Sequence, residues 1–499
     1  MPIEADDLFT AVSLESQRTG IVEEPPFKLL VLGDWSGDAE KKDLASRSVI
    51  EVDRDNFDET IAKLGVRLEL EFNGSPLPLE FGDLDDFNPD QIFRSVPIFA
   101  ELRDLRRRLK DENTFNSAAR EVRDRFAMEK SVIEEPVEAT VEETFTGGLL
   151  DAILTKPSGG AAKPKPGMSK DIADLVNEIV RPHLVSTDEN EQAKLINVVD
   201  AAISGLMRGI LHDARFQELE AAWRGLFFLV RRTETSSDLK IYITDISKAE
   251  LADELKSADS LAETTLYRHL IKDAIETPGS DGYAVVLGNY AFEVNVDDVA
   301  ALIRIAKLAA GANAPFISYT TPSVLGVETL DGNADPENWD LSDESQTAKL
   351  WAALRGQAEA EYLGMTMPRL LTRLPYGADT DPLETFSFEE FDGLPDHDGY
   401  LWANGCFAAG QLLAETYSAY GWDMGRALKQ DIEGLPVHVY KEGTETVYKP
   451  CSEVLLTDKA FQKMMDIGLM PFITFKNTDR VKLARYQSVA DTALKGPWN

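Results

Sequence analysis

Cysteine and histidine are scarce in this sequence: two of the first, Cys406 and Cys451, and five of the second among 499 residues. Neither cysteine has a Cys or His at metal-ligand spacing, which argues against a disulfide framework or a zinc site and fits a reducing compartment. The histidines His183, His212, His269, His397 and His438 are far apart, and none forms a His-x-x-x-His pair. A basic, apolar leader is missing too, because Met1-Pro-Ile-Glu-Ala-Asp-Asp7 is acidic from the start. The one long uncharged stretch, 308–327, contains Gly311, Pro315 and Pro322, and reads as a helix end followed by a buried strand, not as a membrane span. Cations are in deficit. With 51 Lys+Arg against 87 Asp+Glu, the net charge is −36, spread along the chain. Nucleic acid and anionic membrane are therefore poor partners, since each phosphate contact calls for Lys or Arg. A soluble, cytoplasmic protein is expected.

Reactive constellations are also lacking. Gly33-Asp-Trp-Ser-Gly37 follows a strand but has no Gly-x-x-x-x-Gly-Lys-Ser/Thr arrangement, and Asp34 would repel a phosphate, so it reads as a strand-ending turn. There is no Gly-x-Ser-x-Gly elbow. Asp396-His397-Asp398 is the one cluster resembling a ligand or acid/base group; between Gly393 and Gly399-Tyr-Leu-Trp402 it fits a turn entering a buried helix better. Arg373-Leu-Pro-Tyr-Gly377 could hold an anion, but a buried arginine paired with a carboxylate is the commoner arrangement. No catalytic residue, cofactor site or metal site is assigned. A chain with 43% hydrophobic residues has ample core material, and without reactive groups it points to a structural or assembly protein.

The positive signals are mostly periodic. Phe27-Lys-Leu-Leu-Val-Leu-Gly-Asp34 reads as a buried strand, and Val66 to Phe72 alternates apolar and charged residues as a half-exposed strand does. Asn88-Pro-Asp-Gln91 opens a helix carrying Phe93, Val96, Phe99, Leu102, Leu105 and Leu109 at spacings of three or four. After an acidic lead-in, 1–26, residues 27–130 are thus expected to form a small α/β domain. Residues 131–168 read as a Pro/Gly-rich linker interrupted by a short amphipathic element with Leu149, Leu150, Ile153 and Leu154 on one face. Such an element either docks back on its own domain or serves a partner's groove. From 169 to 499, helices at 170–181, 191–212, 216–231 and 297–310 alternate with strands at 239–246, 283–289 and 315–319, so a second α/β domain of mixed sheet covered by helices is expected.

These residues resemble a known family over nearly the whole chain. Ser48-Val-Ile-Glu-Val-Asp-Arg-Asp-Asn-Phe57 and Phe81-Gly-Asp-Leu-Asp-Asp-Phe-Asn-Pro-Asp90 resemble the small subunit (TssB or VipA type) of the type VI secretion contractile sheath. Gly148-Leu-Leu-Asp-Ala-Ile-Leu154, Phe216-Gln-Glu-Leu-Glu-Ala-Ala-Trp-Arg-Gly-Leu226, Arg373-Leu-Pro-Tyr-Gly377, His397-Asp-Gly-Tyr-Leu-Trp402 and Glu453-Val-Leu-Leu-Thr-Asp458 resemble the large subunit (TssC or VipB type). The chain therefore looks like a fusion of small- and large-subunit features.

The resemblance implies a mechanical role. Sheath subunits polymerise around an inner tube on a baseplate, are tied by strand exchange, and contract to propel the tube. The expected partners are other sheath subunits, the inner tube protein, the baseplate and an AAA+ disassembly ATPase. The family's large subunit offers that ATPase a short helix, matched here by Leu149, Leu150, Ile153 and Leu154. Family large subunits also continue beyond the equivalent of 456–488, whereas this sequence ends at Gly496-Pro-Trp-Asn499. That difference raises the alternative of a non-polymerising paralogue that caps, assembles or regulates the sheath by binding its ends or the ATPase.

Overall fold

The computed structural model describes residues 24–72, 75–125, 191–342 and 344–499. The expected linker, the amphipathic element at 149–154 and the helix expected at 170–181 lie outside them. In chain order the strands are β1 (Phe27–Gly33), β2 (Ile50–Val52), β3 (Arg67–Phe72), β4 (Ser75–Glu80), β5 (Leu239–Asp245), β6 (Val285–Phe292), β7 (Phe316–Thr320) and β8 (Leu363–Met367). They continue with β9 (Leu370–Leu371), β10 (Trp402–Ala403), β11 (Asp431–Ile432), β12 (His438–Glu442), β13 (Glu445–Lys449), β14 (Leu469–Thr474) and β15 (Val481–Leu483).

Two compact units result. The first takes the described residues of Met1–Leu64 together with Leu219–Leu374 and Leu401–Asn499. Its centre is a nine-stranded sheet in the order β11-β15-β14-β8-β7-β6-β1-β5-β2. The pairs from β5 through β1, β6, β7 and β8 to β14 are parallel, while β2, β15 and β11 add antiparallel margins. β7 and β8 are buried at every residue, as unbroken apolar strands in a doubly covered sheet should be. One face carries Leu30, Leu32, Val286 and Phe316 into a core with Leu251, Leu302, Ile305 and Trp351 from the helices Lys248–Ser257, Val296–Ala312 and Gln346–Arg355. The helix Gly405–Tyr420 covers the other face. There Gly410 lets the helix approach so closely that a Cβ would stand 2.4 Å from Leu287 Cδ1.

Residues 27–130, expected to form a small α/β domain, divide between the two units at Leu64/Gly65. β1 lies between β5 and β6, more than 200 residues away in sequence, with Phe27 to Gly33 paired in register with Leu239 to Asp245. Only the rest of that segment belongs to the second unit, which is Gly65–Glu218 plus Pro375–Tyr400.

The second unit holds the β3–β4 hairpin and the helices Pro89–Ser95, Pro97–Lys110, Phe115–Arg125 and Glu191–Leu211. β3 buries Leu68 and Leu70 and exposes Arg67, Glu69 and Glu71, as its alternation predicts. The single helix expected after Asn88 is two. Pro97 drives the preceding Val96 into extended backbone (φ −77°, ψ 125°), and the second helix restarts with the proline at its first position. Phe99, Leu102, Leu105 and Leu109 still share one buried face. Arg106 reaches Asp200 on the Glu191–Leu211 helix at 2.5 and 3.0 Å.

Candidate functional site

The residues that resemble sheath motifs are chiefly packing residues, and in the first unit those of the two halves meet. Phe57, at the end of the first small-subunit-like motif, packs edge-on against Trp223 (ring centroids 5.7 Å apart, planes at 84°) and against Phe227 at 5.3 Å. Arg54 of the same motif donates from Nη2 to the Arg231 carbonyl at 2.6 Å and from Nε to that of Val230 at 3.4 Å, which also accepts the Thr233 N–H, and so closes the end of the helix Ala214–Arg232. The Trp223 indole N–H donates to the Trp35 carbonyl at 2.9 Å, and the two indoles sit 5.2 Å apart.

The turn after β1 is built to make that contact. The Asp245 carboxylate accepts from the Trp35 N–H (2.8 Å), the Ser36 N–H (3.3 Å) and the Ser36 hydroxyl (2.6 Å), while the Trp35 indole donates to the Thr244 carbonyl. Trp35 is fully buried, and Asp34 pairs with Lys41 at 2.5 Å. The Gly33–Gly37 segment is thus the expected strand-ending turn, specialised to carry an indole into the junction. Arg47 extends the seam by donating to the Asp245 carbonyl and pairing with Glu250. That guanidinium contact, with the Ser247 capping bonds beside it, holds the Glu250 carboxyl down at about 2.

Two further motifs end in buried ion pairs. Glu220, with no exposed surface, accepts from Arg373 Nε at 2.9 Å and from Arg224 Nε at 2.6 Å. Arg373 is therefore the buried, carboxylate-paired arginine that its context suggested. Glu453 is held by Arg369 through both guanidinium and backbone N–H groups, at 2.7–3.0 Å.

The other sequence candidates do not converge. His397 is buried, whereas Asp396 and Asp398 on either side of it are exposed. Among the described residues no group of three or more His, Cys, Asp or Glu side chains could hold a metal ion. Cys406 and Cys451 are buried free thiols; burial pushes Cys406 well up and Cys451 to about 11, so neither presents a thiolate. Leu149, Leu150, Ile153 and Leu154 lie outside the described residues. Among those residues, no single helix is long and apolar enough to cross a membrane.

One surface feature escaped the sequence reading. β12 and β13 form a two-stranded hairpin outside the large sheet, closed by Gly443-Thr444 with Gly443 at φ 61°. A positive φ at the first loop position is what two-residue hairpins need. Val439 and Tyr448 face each other across it and are each 43% exposed. The available signal was the β-branched and aromatic run Val439-Tyr440 and Thr446-Val-Tyr448 around a Gly-containing turn. The β3–β4 hairpin differs. Pro76 and Pro78 sit in β4 at paired positions, so the missing N–H groups leave its outer edge without donors there.

Such a site is structural: aromatic interlock, buried ion pairs and strand edges, with no assembled reactive cluster among the described residues. The comparisons agree in kind. Residues 193–490 match the family described as VipB, EvpB/VC_A0108, tail sheath N-terminal domain. Residues 13–130 match that described as type VI secretion system, VipA, VC_A0107 or Hcp2. The chain is also 33% identical over 346 residues to the type VI secretion system sheath protein TssC1 of Pseudomonas aeruginosa, covering 66% of this chain and 69% of that protein. The chain belongs to the type VI secretion sheath family, and it carries small-subunit-like and large-subunit-like sequence on one polypeptide.

Proposed function

We propose that the protein is a structural component of the type VI secretion contractile sheath, polymerising around the inner tube in the cytoplasm and contracting to propel it. The observation that carries this reading is the junction just described. Sequence of the small-subunit kind supplies β1, Trp35, Arg54 and Phe57, and sequence of the large-subunit kind supplies β5, β6, Trp223 and Phe227, all in one compact unit. A protomer whose halves share one mixed sheet transmits load through main-chain hydrogen bonds and buried aromatic area, which suits a part that moves as a rigid body. Fusion fixes the ratio of the halves at one to one and removes the translational cost of bringing them together.

Contacts to neighbouring subunits would use strand edges, by the backbone pairing that β-augmentation provides. The β12–β13 hairpin is the edge-bearing element whose exposed apolar pair favours it for that role. An interface of this kind that does not close on itself builds a filament. The inner tube and baseplate are further partners on this reading, and an AAA+ ATPase would engage Leu149, Leu150, Ile153 and Leu154, so that nucleotide hydrolysis belongs to the partner.

Electron microscopy of the purified protein, alone and mixed with an ordinary small- and large-subunit pair, tests the reading. Incorporation along the length of sheath-like tubes is expected. Labelling confined to tube ends would establish the capping alternative instead, and a persistent monomer absent from tubes would refute the sheath role.

A further inference from the structure

The chain has far more carboxylates than cations, yet one groove of the first unit, about 490 Å³ in volume, is lined by three arginines and no carboxylate. Phe227, Phe228 and Leu435 give it apolar walls, and Arg224, Arg231 and Arg232 are its cations. Arg224 is engaged by Glu220 at 2.6 Å. Arg232 stands over the Phe228 ring at 4.6 Å and donates to the carbonyls of Glu433 and Gly434, while Arg231 lies 6.0 Å from the Phe227 ring. Neither of these two has a carboxylate within ion-pair distance among the described residues: Glu415 pairs with Lys429 at 2.5 Å instead, and Asp479 accepts the Gly434 N–H at 3.1 Å. Burial and the neighbouring Arg231 charge pull the Arg232 guanidinium below its ordinary value. The negative end of the helix Ala214–Arg232 accounts for two arginines in its last turn. It does not account for the missing acids or the aromatic walls, which together suit an anionic segment that carries a large apolar side chain.

The described surface offers one such segment. Of its seven exposed large hydrophobic side chains, Ile275, Val439, Tyr448 and Phe475 each have a lysine within four residues, and Tyr420 has a single acid, Asp423. Val296 and Leu394 are flanked by acids alone. Beside Val296 the acids are neutralised, Asp297 by Lys256 at 3.0 Å and Asp298 by Lys248 at 2.6 Å. Beside Leu394, Asp392 meets Arg208 at 3.4 Å, but Asp396 and Asp398 are exposed and pair with no cation among the described residues. Leu394 is 58% exposed and follows Gly393, whose φ of 109° turns the chain outward from the second unit. We propose that the groove of one copy receives the 392–398 loop of a neighbouring copy, with Leu394 against the aromatic walls and Asp396 and Asp398 facing Arg231 and Arg232. This rests on the sheath reading and names one of its subunit contacts. Groove and loop are different surfaces, so the contact is heterologous and repeats from copy to copy without having to close.

Site-specific photo-crosslinking in the full chain tests this, with benzoylphenylalanine in place of Leu394 and tubes assembled from a mixture of isotopically heavy and light protein, alone or with an ordinary small- and large-subunit pair. Heavy–light crosslinks are expected, to the peptides carrying residues 227–232 and Leu435. Arg231→Glu should lower their yield about tenfold, because it sets like charges face to face across the contact; its side chain is exposed, so the fold survives the change. Asp396→Arg should do the same from the other side. Combining the two should restore much of the yield, which damage to either surface alone would not allow. Crosslinks confined to one chain, crosslinks to a different surface, or yields indifferent to both reversals would each overturn the proposal. Normal tubes without the crosslink would remove this contact and leave the sheath reading standing, whereas failure to enter tubes at all would remove both.

Discussion

Replacing Glu220 by alanine should be among the most costly single changes in the first unit. The carboxylate has no exposed surface and is shared by Arg373, itself only 8% exposed, and Arg224. Truncation leaves a buried guanidinium without its counter-charge, an effect that costs about 3–5 kcal/mol at comparable sites. Two features place the expectation at the lower end, about 3 kcal/mol. Arg373 also donates to the Leu374 carbonyl at 3.1 Å, and Arg224, at 21% side-chain exposure, can turn toward water. The reverse change, Arg373→Met, should cost only about 1–2 kcal/mol, because Glu220 keeps Arg224 and a similar apolar volume fills the site. The double variant should then be less destabilised than the sum of the two, since it removes both charges together. Urea unfolding followed by tryptophan fluorescence reads this directly, because Trp35 and Trp223 are buried in the same unit. A loss below about 1 kcal/mol for Glu220→Ala, or equal losses for the two single variants, would show that the pair is not held together by burial as argued.

The remaining tests address the seam, the free edge and the partner helix. Glu250→Gln removes a carboxylate whose folded value is held at about 2 against an ordinary 4.5. A depressed acid stabilises the fold fully above its unfolded value and loses that effect as the pH falls through its folded one. The variant should therefore be less stable than the native chain near neutral pH, with the gap closing toward pH 2 in acid titrations followed by circular dichroism; a pH-independent gap would count against the Arg47 contact as its source. Val439→Asp with Tyr448→Asp should leave thermal unfolding within about 0.5 kcal/mol of native, because both side chains are exposed, and should abolish entry into tubes in sedimentation and microscopy. Tubes of normal length would remove the hairpin from the subunit contact. Leu149→Asp with Leu150→Asp should eliminate pull-down by the disassembly ATPase by putting charge into an apolar groove, without unfolding either unit; unchanged capture would refute the assignment.

What could be read from the sequence divides along a physical line. Local patterns set local structure, so the buried run at Phe27–Gly33, the alternation at Arg67–Phe72 and the helix containing Trp223 all appear where expected. Val96 falls outside the helices although apolar periodicity runs straight through Pro97, because the residue before a proline is driven into extended backbone. The larger difference is the placement of β1. An apolar strand announces that it is buried, but its side chains carry no label for its neighbours, and β5 and β6 lie beyond a segment that reads as linker. Composition shifts mark where a chain changes character. They do not mark where a sheet ends, and a fused chain separates the two. In this protein the specific information sits in the polar atoms that finish the seam: Asp245 receiving Trp35 and Ser36, Trp223 donating to Trp35, Arg54 closing a helix end. None has a sequence period, since each is a single side chain matched to one partner far along the chain. Residues of that kind are legible only as motifs: Arg54 and Trp223 fall in those at 48–57 and 216–226, whereas Trp35, Ser36 and Asp245 fall in none. A motif without reactive groups is therefore informative in its own right: it points to a fit between surfaces, and the contacts of Phe57 and Arg54 with the helix bearing Trp223 are such a fit.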